Sequence, residues 1–354
     1  MAPATPPETP TSPQKPPIHN ILLTLPRTSS HLLTRILNLP SQPSIHRHPS
    51  DGYFFLAPTV QRFSHHLAGK PLPAWTSDER DALRDAFQTS YEELEAFHSA
   101  VVAAGKSSYV KIHVNWLIEP VSETSFLFPD LEQQQLLPAP WTVQTASQGP
   151  DATKSALNET AVPDEVLRGW RPTFLVRHPA LVFPSLLRTA IDNEGVESVL
   201  KGEATQRWEA TFHWSRALYE FYDGDGEGEG RESRVEGVRY PIVVEADDVV
   251  GRPEVVRLYA RAVGLDEKLV RYEWERASET EVAGLSKVER RMKDTLLGSR
   301  GIVGGKTAEG LVVEDEVVKW GKEFGEVLGE RLRVLVEASM ADYEWLRERR
   351  LRLP

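Results

Sequence analysis

The stretch Ile21-Leu22-Leu23-Thr24-Leu25-Pro26-Arg27-Thr28-Ser29-Ser30-His31 decides the fold. Its first five residues are almost wholly apolar, which is typical of a short strand buried on both faces of a parallel sheet. The segment from Pro26 predicts a tight turn, followed by a helix over 31–39 that ends before Pro40. A strand, a turn and a helix N-terminus in this order can hold an anion, because the free N–H groups of the first helical turn point at it. An ordinary Ser/Thr cap on a helix is the alternative explanation of the same residues.

The composition restricts the classes of function. The chain has 354 residues, of which 40% are hydrophobic and 26% are charged, and this suits one large domain or two small ones. Its formal net charge is −11, which argues against sequence-independent binding of nucleic acid. Any bound anion must therefore be held by a local basic pocket. The chain contains no cysteine, so disulfides, thiolate nucleophiles and Cys-ligated metals are excluded, and we expect a cytoplasmic protein that needs no metal.

The composition also changes along the chain. Residues 1–17 are rich in proline and threonine, predict a disordered tail and lack the apolar region of a signal peptide. No membrane association is expected, because the first apolar run is far shorter than the ~20 residues that span a bilayer. A single domain is expected over 18–354. It includes a loop-rich excursion at about 119–168, which could act as a lid, and a flexible acidic loop at 223–237.

Strands alternate with helices after the first turn. Thr76 and Glu79 have the spacing of a capping box at a helix start. Strands are predicted at 21–25, 108–114, 173–176 and 239–244, and helices at 31–39, 76–105, from 181, and at 204–222, 253–263, 286–297 and 314–348. This alternation predicts an α/β fold with three layers, in which helices cover both faces of a central parallel sheet.

A second glycine-rich segment resembles a nucleotide-binding loop but departs from its pattern. Gly301 to Thr307 is similar to a Walker A motif, yet it has three residues between the glycines where that motif needs four. It also follows a basic helical stretch and not a buried strand. A kinase or ATPase is therefore disfavoured.

Five segments, in this order, resemble the motifs of the sulfotransferase family. They are Pro26-Arg27-Thr28-Ser29-Ser30-His31-Leu32, Lys111-Ile112-His113, Arg177-His178-Pro179 with Ser185 eight residues after the arginine, Ile242 to Val249 with Pro253 beyond it, and Ser299-Arg300-Gly301-Ile302-Val303-Gly304. The first and third are similar to the family's two phosphate motifs, and the second to the Lys-Thr-His strand with the catalytic histidine. The resemblance covers about residues 20–306 and is nearest to the P-loop sulfotransferase-like proteins of fungi. Ser29, His31 and Leu32 stand where the family has Gly, Thr and Trp.

The resemblance implies a reaction and a role for ten residues. It implies transfer of a sulfuryl group from PAPS (3′-phosphoadenylyl sulfate), the co-substrate, to a hydroxyl of a small metabolite, in fungal secondary metabolism. By resemblance, Arg27, Thr28, Ser29 and Ser30 would bind the 5′ side of PAPS, and Arg177, Ser185, Arg300 and Gly301 would bind its 3′-phosphate. His113 would be the general base, since its ordinary pKa lies near neutrality, and Lys111 would neutralise developing charge.

Other interpretations remain open at this point. His113 and Lys111 share a strand face that could simply point to solvent, and Arg177 could form a structural ion pair. The same fold could carry a PAPS-independent reaction such as dehydration or cyclisation of a metabolite. It could also serve as a non-catalytic binding protein that uses 119–168 and 223–237 as contact surfaces. The acceptor and the oligomeric state are not predicted.

Overall fold

A parallel sheet forms the centre of the fold. The computed structural model describes residues 16–48, 52–145, 153–224 and 231–354. Within these ranges the sheet has five strands in the order β2-β3-β1-β4-β5, and each neighbouring pair is parallel. The strands are β1 (His19–Thr24), β2 (Ile45–His46), β3 (Ser107–His113), β4 (Arg171–Val176) and β5 (Ile242–Glu245).

The strand order determines where a ligand site can form. β1 lies in the middle, and the chain leaves it first for β2 and β3 on one side, then for β4 and β5 on the other. A crevice opens at the carboxyl ends of strands where the order reverses in this way. Thr24, at the end of β1, pairs with His113 on β3 and with Leu175 on β4. The turn after β1 and the residues that end β3 and β4 therefore meet at one edge.

Helices surround the sheet. They are α1 (Ser30–Ile36), α2 (Leu56–Ser64), α3 (Ser77–Ala103), α4 (Val114–Leu117), α5 (Pro120–Leu127), α6 (Pro129–Gln133), α7 (Asp164–Arg168), α8 (Pro179–Glu194), α9 (Val196–Lys201), α10 (Glu203–Glu209), α11 (His213–Asp223), α12 (Ala246–Gly251), α13 (Pro253–Ala262), α14 (Glu279–Ala283), α15 (Lys287–Gly298), α16 (Val313–Phe324) and α17 (Glu326–Glu348). Short 3-10 helices lie at Leu39–Ser41, Leu72–Ala74 and Glu267–Leu269. Within the described ranges, no helix is both long enough and apolar enough to cross a bilayer.

Alternating strand residues divide the core into two clusters. Ile21 and Leu23 of β1 join the cluster that also contains residues of α3, α8 and α17. Leu22, between them, joins the opposite cluster with residues of α1 and α13. Successive side chains of a strand point to opposite faces, so both faces of the sheet are buried under helices. The predicted three-layer α/β fold is thereby confirmed.

Local signals predict the helix starts better than the helix breaks. Thr76 accepts a hydrogen bond from the Glu79 amide at 3.2 Å and Glu79 accepts one from the Thr76 amide at 2.8 Å, so the capping box is present. The single helices predicted over 204–222 and 314–348 are wrong. The first is interrupted between α10 and α11, and the second at Gly325, whose φ of 84° ends α16.

The loop-rich prediction for 119–168 differs from the structure in part, because α5, α6 and α7 lie in this segment. Pro120 and Pro129 occupy the first turns of α5 and α6, where a missing N–H costs nothing. Residues 146–152 of the excursion lie outside the described residues.

The predicted acidic loop and N-terminal tail are described only in part. Residues 225–230 lie outside the description, whereas Glu232 and Arg239 form an isolated antiparallel bridge. The predicted tail falls almost entirely outside the described residues, which begin at Pro16.

Candidate active site

The turn after β1 has an unusual backbone. Arg27 and Ser29 both have a φ of 69°, in the left-handed region that favours glycine. Thr28 lies between them, and its buried hydroxyl donates a 2.8 Å hydrogen bond to the Leu25 carbonyl. The Ser29 side chain makes no cap hydrogen bond to α1 within the described residues. Thr28 therefore closes the turn internally, while Ser29 keeps a conformation that costs a non-glycine residue about 1–2 kcal/mol.

Two arginines hold this turn against its neighbours. The Arg27 Nε donates to the Ser185 hydroxyl on α8 at 2.9 Å, and its Nη1 donates to the Met292 carbonyl on α15 at 3.2 Å. Arg177, just after β4, donates from Nη1 to the Arg27 carbonyl and from Nη2 to the Lys306 carbonyl, both at 3.0 Å. Its Nε is buried and has no hydrogen-bond partner among the described residues. Such an N–H group is a donor available to a ligand oxygen.

The turn, α15 and the loop after α15 enclose a cleft of about 830 Å³, its open mouth included. Basic side chains dominate the charged residues of its wall. They are Arg27, Arg177, Lys293 and Lys306, with Asp294 as the acidic member of the described lining. Burial lowers the pKa of both arginines. The predicted local basic pocket therefore lies at the edge of the sheet where β1, β3 and β4 end.

The structure brings together some of the predicted site residues and separates others. The described lining of the cleft includes Arg27, Ser29, Ser30, His113, Arg177 and Gly301, and it does not include Thr28, Lys111, Ser185 or Arg300. Ser185 lies one hydrogen bond behind Arg27. Arg300 is exposed, and its carbonyl accepts a 3.0 Å hydrogen bond from the Trp274 amide. Its neighbour Gly301 forms an isolated bridge with Glu273.

His113 lies at the end of β3 with only 2% of its surface exposed. Its Nδ1 is 2.7 Å from the Thr24 hydroxyl, a contact that follows from the pairing of these two residues in the sheet. Burial, followed by the nearby charge of Lys111, holds the pKa of His113 well below its usual range. The ring is therefore neutral at neutral pH and can accept a proton. When Nδ1 donates to Thr24, Nε2 is the nitrogen that accepts it.

Lys111 lies two residues before His113 on the same face of β3 and is fully buried. Its Nζ is 3.1 Å from His31 Nδ1 and 4.6 Å from the centre of the Tyr53 ring. The interpretation that Lys111 and His113 point to solvent is therefore wrong, because both side chains are buried near the turn that follows β1 (Pro26 to His31), here named the phosphate turn after the family motif that it resembles.

Sequence reasoning missed four residues that shape the site. The rings of Tyr53 and Trp116 contact His113, with centroid separations of 5.4 and 4.6 Å. Trp274 lines the cleft, and its buried indole N–H finds no acceptor in the described part of the chain. Lys306 comes from the segment that resembles a Walker A loop, and its Nζ donates to Thr295 at 3.0 Å. No periodic pattern marks these residues in the sequence.

Comparison with known proteins identifies the family. No family model matches the chain. Sulfotransferase ppzF of Metarhizium rileyi is 36% identical over 336 residues, which cover 94% of this chain and 95% of that protein. Sulfotransferase ppzF of Metarhizium majus is 36% identical over 341 residues, covering 95% of this chain and 97% of that protein. With this identity over nearly the whole length of both proteins, the chain belongs to the family of these fungal sulfotransferases.

Proposed function

We propose that the protein transfers a sulfuryl group from PAPS to a hydroxyl group of a small metabolite. The observation that carries the proposal is the convergence, at one cleft, of a neutral buried histidine with two arginines and two lysines. A sulfotransferase needs a proton acceptor beside a strongly anionic donor. The placement in secondary metabolism rests on the resemblance to sulfotransferase-like proteins of fungi.

The residues of the cleft fit such a donor. The free Nε–H of Arg177 and the guanidinium of Arg27 suit phosphate oxygens, because a guanidinium presents several donors in one plane. Trp274 offers a flat indole in the same wall, which suits a nucleobase.

The reaction divides into tasks for the residues of this chain. The bound donor supplies a sulfuryl group attached to a phosphate that leaves. His113 takes the proton of the acceptor hydroxyl at Nε2 as the acceptor oxygen bonds to sulfur and the bond from sulfur to the phosphate oxygen breaks. Arg27 stabilises the negative charge that grows on the phosphate oxygen, since charge stabilisation within a partly dry cleft is stronger than in water. Tyr53 and Trp116 enclose His113 and would contact the acceptor near its hydroxyl.

Thermal unfolding with PAP, the desulfated product of PAPS, tests the donor. A ligand at 100 times its Kd stabilises the folded state by ~2.7 kcal/mol, so PAP should raise the unfolding temperature. AMP, which lacks the 3′-phosphate, should do so much less. Arg177→Ala should remove the response to PAP, and Arg352→Ala, an exposed arginine near the C-terminus, should keep it.

A second assay tests the transfer. Transfer of radiolabelled sulfate from PAPS to an extract of hydroxylated metabolites should be lost in His113→Ala. No stabilisation by millimolar PAP would overturn the proposal, and turnover of a metabolite that needs His113 but not PAPS would favour a dehydration or cyclisation on the same fold.

A further inference from the structure

His31 lies in the phosphate turn at a position where the resembling family has threonine, and the proposed reaction gives it no role. It contacts two groups at once. Its Nδ1 is 3.1 Å from Lys111 Nζ, and its Nε2 is 3.3 Å from the Tyr53 hydroxyl. It also lines the cleft in which we propose that the donor binds.

The chemistry of these contacts determines the protonation state of His31. An ammonium group can only donate hydrogen bonds, so His31 Nδ1 must accept from Lys111 and carry no proton. The neutral ring then carries its proton on Nε2 and donates to the Tyr53 oxygen. A doubly protonated ring would place two donors face to face at Nδ1. The surroundings of His31 favour the same neutral state, because they hold its pKa well below the usual range. Burial has the largest effect, and the nearby groups Lys111, Lys293, His113 and Arg27 add to it.

The two partners of His31, Lys111 and Tyr53, both lie near His113, the proposed general base. Tyr53 contacts the His113 ring at 5.4 Å between centroids, and the Lys111 ammonium lies 4.6 Å from the face of the same tyrosine. Lys111 is also the charged group that acts on His113. His31 therefore fixes a cation and an aromatic ring beside His113 without touching the reacting atoms.

We propose that His31 is a positioning residue, which as a neutral Nε2–H imidazole holds Lys111 and Tyr53 in place around His113. This inference rests on the proposed function of His113 as the general base. It goes beyond that function by giving the substituted turn residue a task. The retained Lys111 charge keeps His113 unprotonated, so the enzyme stays active at mildly acidic pH.

Three substitutions of His31 separate its two contacts. His31→Asn keeps an acceptor near the Nδ1 position for Lys111, His31→Gln keeps a donor near the Nε2 position for Tyr53, and His31→Thr installs the residue of the resembling family. When Lys111 loses the contact with His31 Nδ1, we expect its charge to move away from His113 and the pKa of His113 to rise. The acidic limb of kcat should therefore move to higher pH by about one unit in His31→Thr and His31→Gln, and should stay in place in His31→Asn. If His31 had only a structural role, all three substitutions would lower stability, but the acidic limb of kcat would not shift in His31→Thr and His31→Gln while staying in place in His31→Asn.

Nitrogen-15 NMR of the histidine rings tests the inference without any turnover. Wild-type protein should show His31 as the Nε2–H tautomer from pH 8 to pH 5, and His31→Thr should show His113 titrating at a higher pH than in wild type. A His31 ring protonated at pH 7, a Nδ1–H tautomer, or an unchanged His113 titration in His31→Thr would overturn the inference. If these NMR results hold while PAP fails to bind, the proposed function fails and the positioning role stands.

Discussion

Replacing Ser29 with glycine should stabilise the protein, although Ser29 lies in the phosphate turn. Ser29 has φ 69° and ψ 24°, a left-handed conformation in which a side chain costs about 1–2 kcal/mol. Glycine removes this cost. It also increases the conformational freedom of the unfolded chain, which lowers the free energy of unfolding by about 0.4–1 kcal/mol. The Ser29 side chain makes no cap hydrogen bond within the described residues, so no such bond is lost. The net gain should be about 0.5–1 kcal/mol.

The neighbouring serine provides the matched control. Ser30 is the first residue of α1 and is not among the residues with positive φ, so glycine relieves no strain there and only adds conformational freedom to the unfolded chain, which costs about 0.4–1 kcal/mol. Urea unfolding followed by tryptophan fluorescence should therefore move to a higher midpoint in Ser29→Gly and to a lower midpoint in Ser30→Gly. Equal destabilisation by both substitutions would refute the reasoning, because it would mean that the backbone of Ser29 is not under strain.

Three other substitutions test the cleft and the titrating groups. Trp274→Ala should raise the Kd for PAP about tenfold by calorimetry, since stacking on an aromatic ring contributes ~1–3 kcal/mol per base, and unchanged affinity would remove Trp274 from the base site. Burial, then Glu194, raises the pKa of Glu209 from 4.5 to about 8. The folded state therefore holds a proton that the unfolded chain releases between these pH values, and stability falls as pH rises. Glu209→Gln should remove this dependence of stability on pH. It should also stabilise the protein by about 1–2 kcal/mol at pH 8, a value reduced because the Glu209 side chain is partly exposed. Urea unfolding that shows the same dependence on pH in the variant and in wild type would contradict this prediction. Burial, then His98 and Arg171, lowers the pKa of His19 from 6.5 to about 4, so the unfolded chain binds the proton first and stability falls as pH drops through this window. His19→Gln should reduce that loss by about 1 kcal/mol between pH 7 and pH 5 in the same assay, and an equal acid loss in both proteins would contradict it.

The residues of the site that lie at the ends of strands can be predicted from the sequence. β1 and the turn after it were expected from an apolar run that meets Pro26, and His113 from the alternation of β3. The pairing of Thr24 with His113 then follows from parallel strands of similar length. These residues could be placed because strand ends of a parallel sheet meet at one edge, whatever the loops do.

The other half of the site comes from segments without a periodic signal. Tyr53 precedes α2, which was not predicted, and Trp274 follows a short 3-10 helix in an irregular segment. Their positions depend on tertiary packing and not on local preference. The break between α16 and α17 also involves tertiary packing: a Cβ on Gly329 would approach the Gly321 amide nitrogen to 2.8 Å, so the two helices pack closely against each other and do not continue as one straight helix.

Each of the three positions at which the turn departs from the resembling family can be related to a feature of the cleft. His31, in place of threonine, gives the buried Lys111 an uncharged acceptor. Leu32, in place of tryptophan, lines the same cleft as Trp274, which brings an indole from the loop before α14. Ser29, in place of glycine, keeps the left-handed backbone that the turn requires. Ser29 and His31 themselves keep the left-handed backbone and the contact with Lys111, and Trp274 supplies a flat aromatic surface, so the three substitutions are compatible with the anion site that we propose.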